Sequence, residues 1–180
     1  MCKCKKLWIP VLSLVLAAVI LLGLYNGLNG VRTANREAEL QAQMETLLPG
    51  STTFTPEAYD GEDTNIQFVY KGETGFVIGT RTAGYAGDIL MLIGVCNEGN
   101  VVGLQVRSME ETYGLGGKAL TDWEFLAQFL RNEGDAEIGV NVDAITGATV
   151  TSKAIARSVN SAVGFVTGAD VSSSATTWGG

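Results

Sequence analysis

The chain begins with a long apolar run and continues with short segments in which apolar and polar positions alternate. Residues 7–25 contain no charged side chain. At about 1.5 Å per residue, a helix of about 20 residues crosses the core of a bilayer. Trp8 and Tyr25 lie at the two ends of the run, where aromatic side chains favour the membrane interface. The pattern therefore predicts a transmembrane helix over residues 7–28.

Charges beside the apolar run predict its orientation. Lys3, Lys5 and Lys6 precede it, so residues 1–6 are expected in the cytoplasm and the remainder outside it, on the far side of the cell (inner) membrane. Two other interpretations stay open. One is a cleaved signal peptide, although the run is long for one and no clean small-residue cleavage site follows. The other is a buried core helix.

Residues 29–63 are predicted to link this run to a domain through a helix and a loop. Thr33 is suited to cap a helix over residues 34–48, which Pro49-Gly50 would end. The apolar stripe of that helix consists of Leu40, Met44, Leu47 and Leu48. The following residues, 51–63, are expected to form a loop or an irregular edge.

Residues 64–167 are predicted to form one small domain that contains an antiparallel sheet. Strand-like patterns occupy residues 66–70, 76–81, 89–95 and 102–106, with turn signals between them. Residues 89–95 are almost wholly apolar, which indicates a strand buried on both faces. The short spacing favours an antiparallel meander over a series of βαβ units.

Two amphipathic segments predict helices that flank the sheet. The first covers residues 119–130, with Leu120, Trp123, Ala127 and Leu130 on one face. The second covers residues 151–166, with Ile155, Val159, Ala162, Val163 and Val166 on one face. Trp123 and Phe125 are expected to pack in the core. Residues 168–180 are predicted to be a flexible tail. The predicted fold class is α+β: one N-terminal transmembrane helix, then a small domain with an antiparallel sheet and flanking helices.

Composition excludes several kinds of site. The chain has 12 basic and 19 acidic residues, and beyond the three N-terminal lysines the balance is 9 against 19, a net charge of -10. Such a domain repels phosphate backbones, so no nucleic-acid binding is expected. There is no histidine, and Cys2, Cys4 and Cys96 form no ligand cluster, so no metal site is predicted. Cys96 is expected to pack in the core as a small hydrophobe.

Residues 143–152 form the most distinctive segment of the chain. An acid opens it, hydroxyl residues surround a Gly-Ala pair, and the second amphipathic helix follows at once. A hydroxyl at a loop-to-helix junction can meet a phosphate, because free backbone N–H groups and the helix dipole both point there. From composition alone, an ordinary helix N-cap rich in Ser and Thr explains the pattern as well.

The same run resembles the flavinylation motif of the FMN-binding domains in the Rnf and Na+-translocating NADH:quinone reductase complexes. In that motif the last Thr carries FMN through a phosphoester, which implies that Thr149 is the attachment residue. The resemblance also implies cofactor-binding roles for Asp143, Thr146, Gly147, Ala148, Thr151, Ser152 and Lys153. Lys153 would offset the remaining phosphate charge. Since a threonine hydroxyl is not acidic and no histidine is present, a separate flavin transferase is implied, which moves FMN from FAD.

A second glycine-rich loop, residues 110–118, resembles the ETPGLG loop that lies near the flavin in this family. The matching residues, with an implied cofactor-binding role, are Glu111, Thr112, Gly114, Leu115 and Gly116. Tyr113 replaces the usual Pro, and Met109-Glu110 stand where a His often precedes the loop. The spacing also fits a dinucleotide fingerprint loosely, but the strands before it are not the parallel unit that this fingerprint requires. Residues 83–88 resemble the family's GY-x-G turn, although a plain glycine-rich turn explains them equally well.

The resemblance spans about residues 70–166, and one anchor, one linking helix and one such domain are similar to the G subunits of Rnf complexes. It implies electron relay through covalent FMN without independent substrate turnover. The implied setting is a complex that moves electrons between ferredoxin and NAD+ while Na+ or H+ crosses the membrane, with other membrane subunits as partners. Two alternatives stay open: a stand-alone extracytoplasmic FMN domain that feeds another reductase, and a membrane-anchored binding protein without a cofactor.

Overall fold

The computed structural model describes residues 5–109, 122–130 and 133–169. These fall into two compact units, one that ends at Ala42 and one that begins at Gln43. The first helix, α1 (Lys5–Leu47), runs through the apolar stretch and the predicted linking helix without a break, so Thr33 does not begin a helix. Its polar positions 32–42 continue the helix because they contain good helix formers such as Ala, Arg, Glu and Gln and no Pro.

Within the first unit, the described side chains of the apolar run cover residues 12–25, and all of them are exposed. No helix in the described part of the chain has the length and apolar character needed to span a membrane. The transmembrane helix expected over residues 7–28 is thus not found there.

The second unit contains an antiparallel meander of five strands in sequence order. The strands are β1 (Thr55–Glu57), β2 (Ile66–Lys71), β3 (Gly75–Ala83), β4 (Asp88–Cys96) and β5 (Val101–Met109). The meander predicted from the sequence is confirmed, and β1 adds a short edge strand where the sequence predicts a loop or irregular edge. Strand β4 pairs on both sides, and its residues 91–95 are buried on both faces, as the apolar run predicts.

Two helices follow the sheet: α2 (Trp123–Ala127) and α3 (Thr149–Thr167). The apolar face predicted for α3 is confirmed, since Ile155, Val159, Ala162 and Val163 are fully buried. The face predicted for α2 is wrong. Trp123, expected in the core, is 74% exposed. Phe125, also expected there, is buried and packs with Phe129, with ring centroids 5.2 Å apart. Asp122 accepts hydrogen bonds from the N–H groups of Glu124 and Phe125, so this N-cap starts the helix at Trp123 and turns the two phenylalanines inward.

Helix α3 lies antiparallel to β3 on one face of the sheet. At its N-terminal half, the Thr82 hydroxyl donates to the Ala154 carbonyl at 3.1 Å. At its C-terminal half, the rings of Phe165 and Phe76 meet edge to face at 5.6 Å. Thr149 therefore lies at the end of the sheet where β3 ends and β4 begins.

The last turn of α1 belongs to the second unit and covers the other face of the sheet. Ile93 and Val95 face the α3 side, so Gly94 between them faces away from it. Gly94 pairs with Gly103, and a Cβ at Gly94 would lie 2.1 Å from the carbonyl oxygen of Leu47. This pair of glycines lets helix backbone approach sheet backbone closely.

Candidate functional site

The hydroxyl-rich loop reaches α3 through a tight turn. The N–H of Ala148 donates to the Ile145 carbonyl at 2.9 Å, which closes a turn over residues 145–148. Gly147 occupies its third position with φ of 80°, a conformation that favours glycine. Thr146 occupies the second position and is exposed. The glycine of the motif thus has a structural reason: it allows the chain to turn directly into the helix.

The side chain of Ser152 connects this turn to the helix through hydrogen bonds. Its hydroxyl donates to the Ala148 carbonyl at 3.0 Å, and its Oγ faces the Ile145 N–H at 3.4 Å. The side chain is completely buried. Thr151 is buried beside it. The structure therefore places both hydroxyl residues in the interior and not on the exposed surface, and Ser152 supports the shape of the loop.

Thr149 is the first residue of α3 and is exposed. Ala148 is the N-cap, no side chain among the described residues caps the helix, and its first turn contains no acidic residue. Lys153 lies one turn further along and is exposed. The positive end of the helix dipole and a lysine thus lie near the Thr149 side chain, and the first turn of the helix contributes no acidic residue.

The segment that leads into the loop is held by side-chain amides that the sequence patterns do not reveal. Asn160 on α3 clamps Ala136: the Ala136 N–H donates to Oδ1 and Nδ2 donates to the Ala136 carbonyl, both at 3.0 Å. Asn141 closes the next turn, since its Oδ1 accepts from the Glu137 N–H at 2.7 Å and its Nδ2 donates to the Asp135 carbonyl at 2.8 Å. No motif marks these residues, because single amides in polar segments resemble ordinary loop residues.

At the start of the loop, Gln128 makes a similar contact. Its Oε1 accepts a hydrogen bond from the backbone N–H of Asp143 at 2.8 Å. Gln128 directly follows α2 and stands in the sequence between Phe125 and Phe129, which are both buried. The beginning of the hydroxyl-rich loop is therefore tied to a firmly packed element.

The predicted site residues fall into three groups. The exposed residues of the loop and first helical turns are Asp143, Thr146, Gly147, Thr149 and Lys153. The buried residues are Ala148, Thr151 and Ser152. The residues of the second glycine-rich loop, namely Glu111, Thr112, Gly114, Leu115 and Gly116, lie outside the described residues, as does the tail beyond residue 169. The first two groups form one continuous site around the start of α3.

Two more segments that the sequence singles out are placed by the structure. The turn at residues 84–87 is closed by a hydrogen bond from the Gly84 N–H to the Gly87 carbonyl at 2.8 Å, and Tyr85 in it is largely exposed. This turn joins β3 to β4, so it lies at the same end of the sheet as Thr149. Cys96 is half-buried, and its thiol donates to a carboxylate oxygen of Glu98 at 3.4 Å, so it is less deeply packed than expected.

The arrangement supplies an acceptor hydroxyl and an anion-favouring helix end. The chain has no histidine, and the nearest motif lysine, Lys153, is exposed on the helix. Among the described residues, no group of three His, Cys, Asp or Glu side chains is placed to hold a metal ion. The site is suited to receiving and holding a phosphorylated group.

A family model described as the FMN-binding domain matches residues 84–164, a range that includes the turn at 84–87 and Thr149. The chain is also similar to the G subunits of several ion-translocating complexes. It is 38% identical over 99 residues to the G subunit of the proton-translocating ferredoxin:NAD(+) oxidoreductase complex of Clostridium ljungdahlii, which covers 51% of this chain and 53% of that protein. The Na(+)-translocating counterpart of Acetobacterium woodii is 34% identical over 115 residues, covering 59% and 53%.

The match to a third relative is longer. The G subunit of the ion-translocating oxidoreductase complex of Methanosarcina acetivorans is 32% identical over 145 residues, which covers 72% of this chain and 77% of the relative. The chain thus spans about half the length of the first two relatives (53% of each) and about three quarters of this one.

Proposed function

Since the chain belongs to the family of G subunits of ion-translocating oxidoreductase complexes and contains the FMN-binding domain, we propose that it carries FMN covalently on Thr149 and relays electrons. The proposed setting is a Rnf-type complex that couples electron transfer between ferredoxin and NAD+ to movement of Na+ or H+ across a membrane. Other membrane subunits would be its partners.

The exposed hydroxyl at the start of α3 carries this proposal. Thr149 stands at a helix N-terminus with no described side-chain cap and no acid in its first turn, and Lys153 follows one turn later. In a chain of net charge -7, this local accumulation of positive potential favours an added anion. The phosphate of FMN, esterified to Thr149, would supply that anion.

The other residues of the loop fit the attachment of a large planar group. Gly147 and Thr146 are exposed beside Thr149, and Gly147 adds no side chain. Ser152 bonds to the loop from the interior, and Thr151 is buried next to it in the sequence. Glu111, Thr112, Gly114, Leu115 and Gly116 are proposed to complete the contacts with the flavin. Bound FMN accepts and releases electrons, and this redox chemistry belongs to the cofactor. The protein's part is to tether it, orient it and set its electrostatic environment.

We further propose that the chain is anchored in the cell membrane with its N-terminus in the cytoplasm and the FMN domain outside it. Leucine, valine and isoleucine side chains of residues 12–25 are exposed all around α1, which is unfavourable in water and favourable in lipid. Lys3, Lys5 and Lys6 lie at the end expected in the cytoplasm. Covalent attachment suits this location, where FMN lost from the domain is not readily replaced.

Covalent flavin is tested directly by producing the full chain together with a flavin transferase. After separation on a denaturing gel, the wild-type band is expected to fluoresce under ultraviolet light, and mass spectrometry is expected to find FMN on the peptide that contains Thr149. Thr149→Val should abolish the fluorescence. Thr55→Val is the matched control, because it removes the same hydroxyl from an exposed position on β1, outside the loop. A fluorescent Thr149→Val band, or a wild-type band without flavin, would contradict the proposal.

A further inference from the structure

The loop that presents Thr149 is held at two points. At one point the buried Ser152 hydroxyl bonds to the Ala148 carbonyl and faces the Ile145 N–H. At the other, Gln128 Oε1 accepts from the Asp143 N–H at 2.8 Å, shorter than the 3.4 Å contact at Ile145. Residues 143–148 are thus hydrogen-bonded to α3 at one end and to the segment that follows α2 at the other.

Gln128 belongs to a segment whose two phenylalanines are packed in the core. Phe125 and Phe129, on either side of it, are 3% and 0% exposed and pack edge to face. Asp122 fixes the start of the same helix through two hydrogen bonds. The hydrogen bond from Gln128 to the Asp143 N–H therefore ties the loop to a segment that is anchored in the core.

We propose that Gln128 is a positioning residue for flavin attachment, which holds the Asp143 end of the loop so that the Thr149 hydroxyl meets the transferase in one orientation. This inference rests on the proposed function. In the attachment step, the Thr149 oxygen bonds to the phosphorus of the FMN half of FAD, the diphosphate P–O bond breaks, and AMP leaves. The hydroxyl proton passes to the transferase or to solvent, and the flavin keeps its oxidation state. Gln128 takes no part in these bond changes.

Exposure makes Gln128 a suitable residue to test. Its side chain is exposed, so its replacement leaves the core intact, unlike replacement of the buried Ser152. Gln128→Met keeps the length of the side chain and removes the acceptor. Gln128→Glu keeps an acceptor oxygen at the same place. Gln67→Met is a matched control, since Gln67 is also exposed and its amide donates to the Thr64 carbonyl, not to the loop.

The experiment measures the rate of FMN attachment to the full-length chain by a purified transferase with FAD. Gln128→Met is expected to lower kcat roughly two- to tenfold, the range for one lost hydrogen bond, with KM for the protein little changed. Gln128→Glu and Gln67→Met should stay within about twofold of the wild type. Before attachment, hydrogen exchange at the Asp143 amide should speed up in Gln128→Met and not in Gln67→Met.

Each outcome decides between explanations. Equal losses in Gln128→Met and Gln128→Glu would overturn the inference, because the amide itself would then be what the transferase recognises. So would a loss confined to KM, or a Gln128→Met variant that matches the wild type in rate. If wild-type protein accepts no FMN, the proposed function fails and the inference falls with it. If the wild type accepts FMN and Gln128→Met accepts it at the same rate, the positioning role is refuted and the proposed function stands.

Discussion

Replacing Asn160 with leucine tests whether the clamp between α3 and Ala136 stabilises the domain. The amide of Asn160 satisfies both backbone groups of Ala136, each at 3.0 Å, and both residues are buried, with 6% and 5% of their surface exposed. Leucine has a similar volume but neither donor nor acceptor. The N–H and C=O groups of Ala136 would then lack partners in a place where water has little access.

The size of the effect follows from those two groups. A buried backbone group without a partner costs about 1–3 kcal/mol, so the loss of two partners in Asn160→Leu should lower the free energy of unfolding by about 2–6 kcal/mol. The assay is urea denaturation of the full-length chain in detergent, followed by circular dichroism, with unchanged m-value as the sign that the unfolding transition is comparable. A loss below about 1 kcal/mol would refute the reasoning, since it would mean that water or a shifted loop replaces the clamp.

The pH dependence of stability in the variant Asn160→Asp tests the same clamp. The aspartate keeps an acceptor for the Ala136 N–H but offers no donor to the Ala136 carbonyl, and its burial raises the pKa of the new carboxyl group in the folded state. The folded state then binds a proton more readily than the unfolded state, so stability should increase as the pH falls towards and below this raised pKa. The wild type has asparagine there and should lack this gain. A variant whose stability follows the wild-type pH profile would contradict the assigned geometry.

Two further predictions concern hydroxyl and carboxylate contacts. Thr82→Val should destabilise the domain by about 1–2 kcal/mol in urea denaturation, because it removes the hydrogen bonds to the Ala154 carbonyl and Ser158 Oγ. Thr80→Val should be neutral or stabilising, since the buried Thr80 hydroxyl has no hydrogen-bond partner among the described residues. Equal losses of stability in the two variants would contradict this difference. The pKa of Glu73 is lowered by its own backbone N–H and by the N–H groups of Thr53 and Thr52, so its stabilising contribution is present above the unfolded-state pKa and is lost as the pH falls through the lower folded-state pKa. Hydrogen-exchange protection of the Thr52 and Thr53 amides should therefore decrease in that acidic range in the wild type, and Glu73→Gln should remove this dependence.

Much of the second unit could be predicted from local sequence patterns. Residues 89–95 are apolar without alternation, which correctly indicates a strand with neighbours on both sides and cover on both faces. The apolar positions of α3 repeat at helical spacing and are buried as predicted. These patterns succeed because burial of apolar surface is the largest favourable contribution and its periodicity depends on local geometry alone.

Other features depend on contacts that no local pattern reveals. Helical spacing places Trp123 on the inner face of α2, but the cap at Asp122 and the packing of two phenylalanines decide the phase of that helix. The glycines at 94 and 103 look like ordinary strand residues in the sequence, and their role is apparent only with Leu47 placed against them. In the same way, the motif contains several hydroxyl residues, but its sequence does not show that Thr151 and Ser152 are buried and Thr149 is exposed.

Because α3 begins at Thr149 and continues into the buried part of the domain, no break in the described helix separates Thr149 from the core. The residue next to the loop and the residues that pack on β3 belong to one uninterrupted helix. A chromophore carried on Thr149 should accordingly act as a reporter of the whole domain: its fluorescence anisotropy should fall in the same thermal transition in which the sheet melts, without an earlier local step.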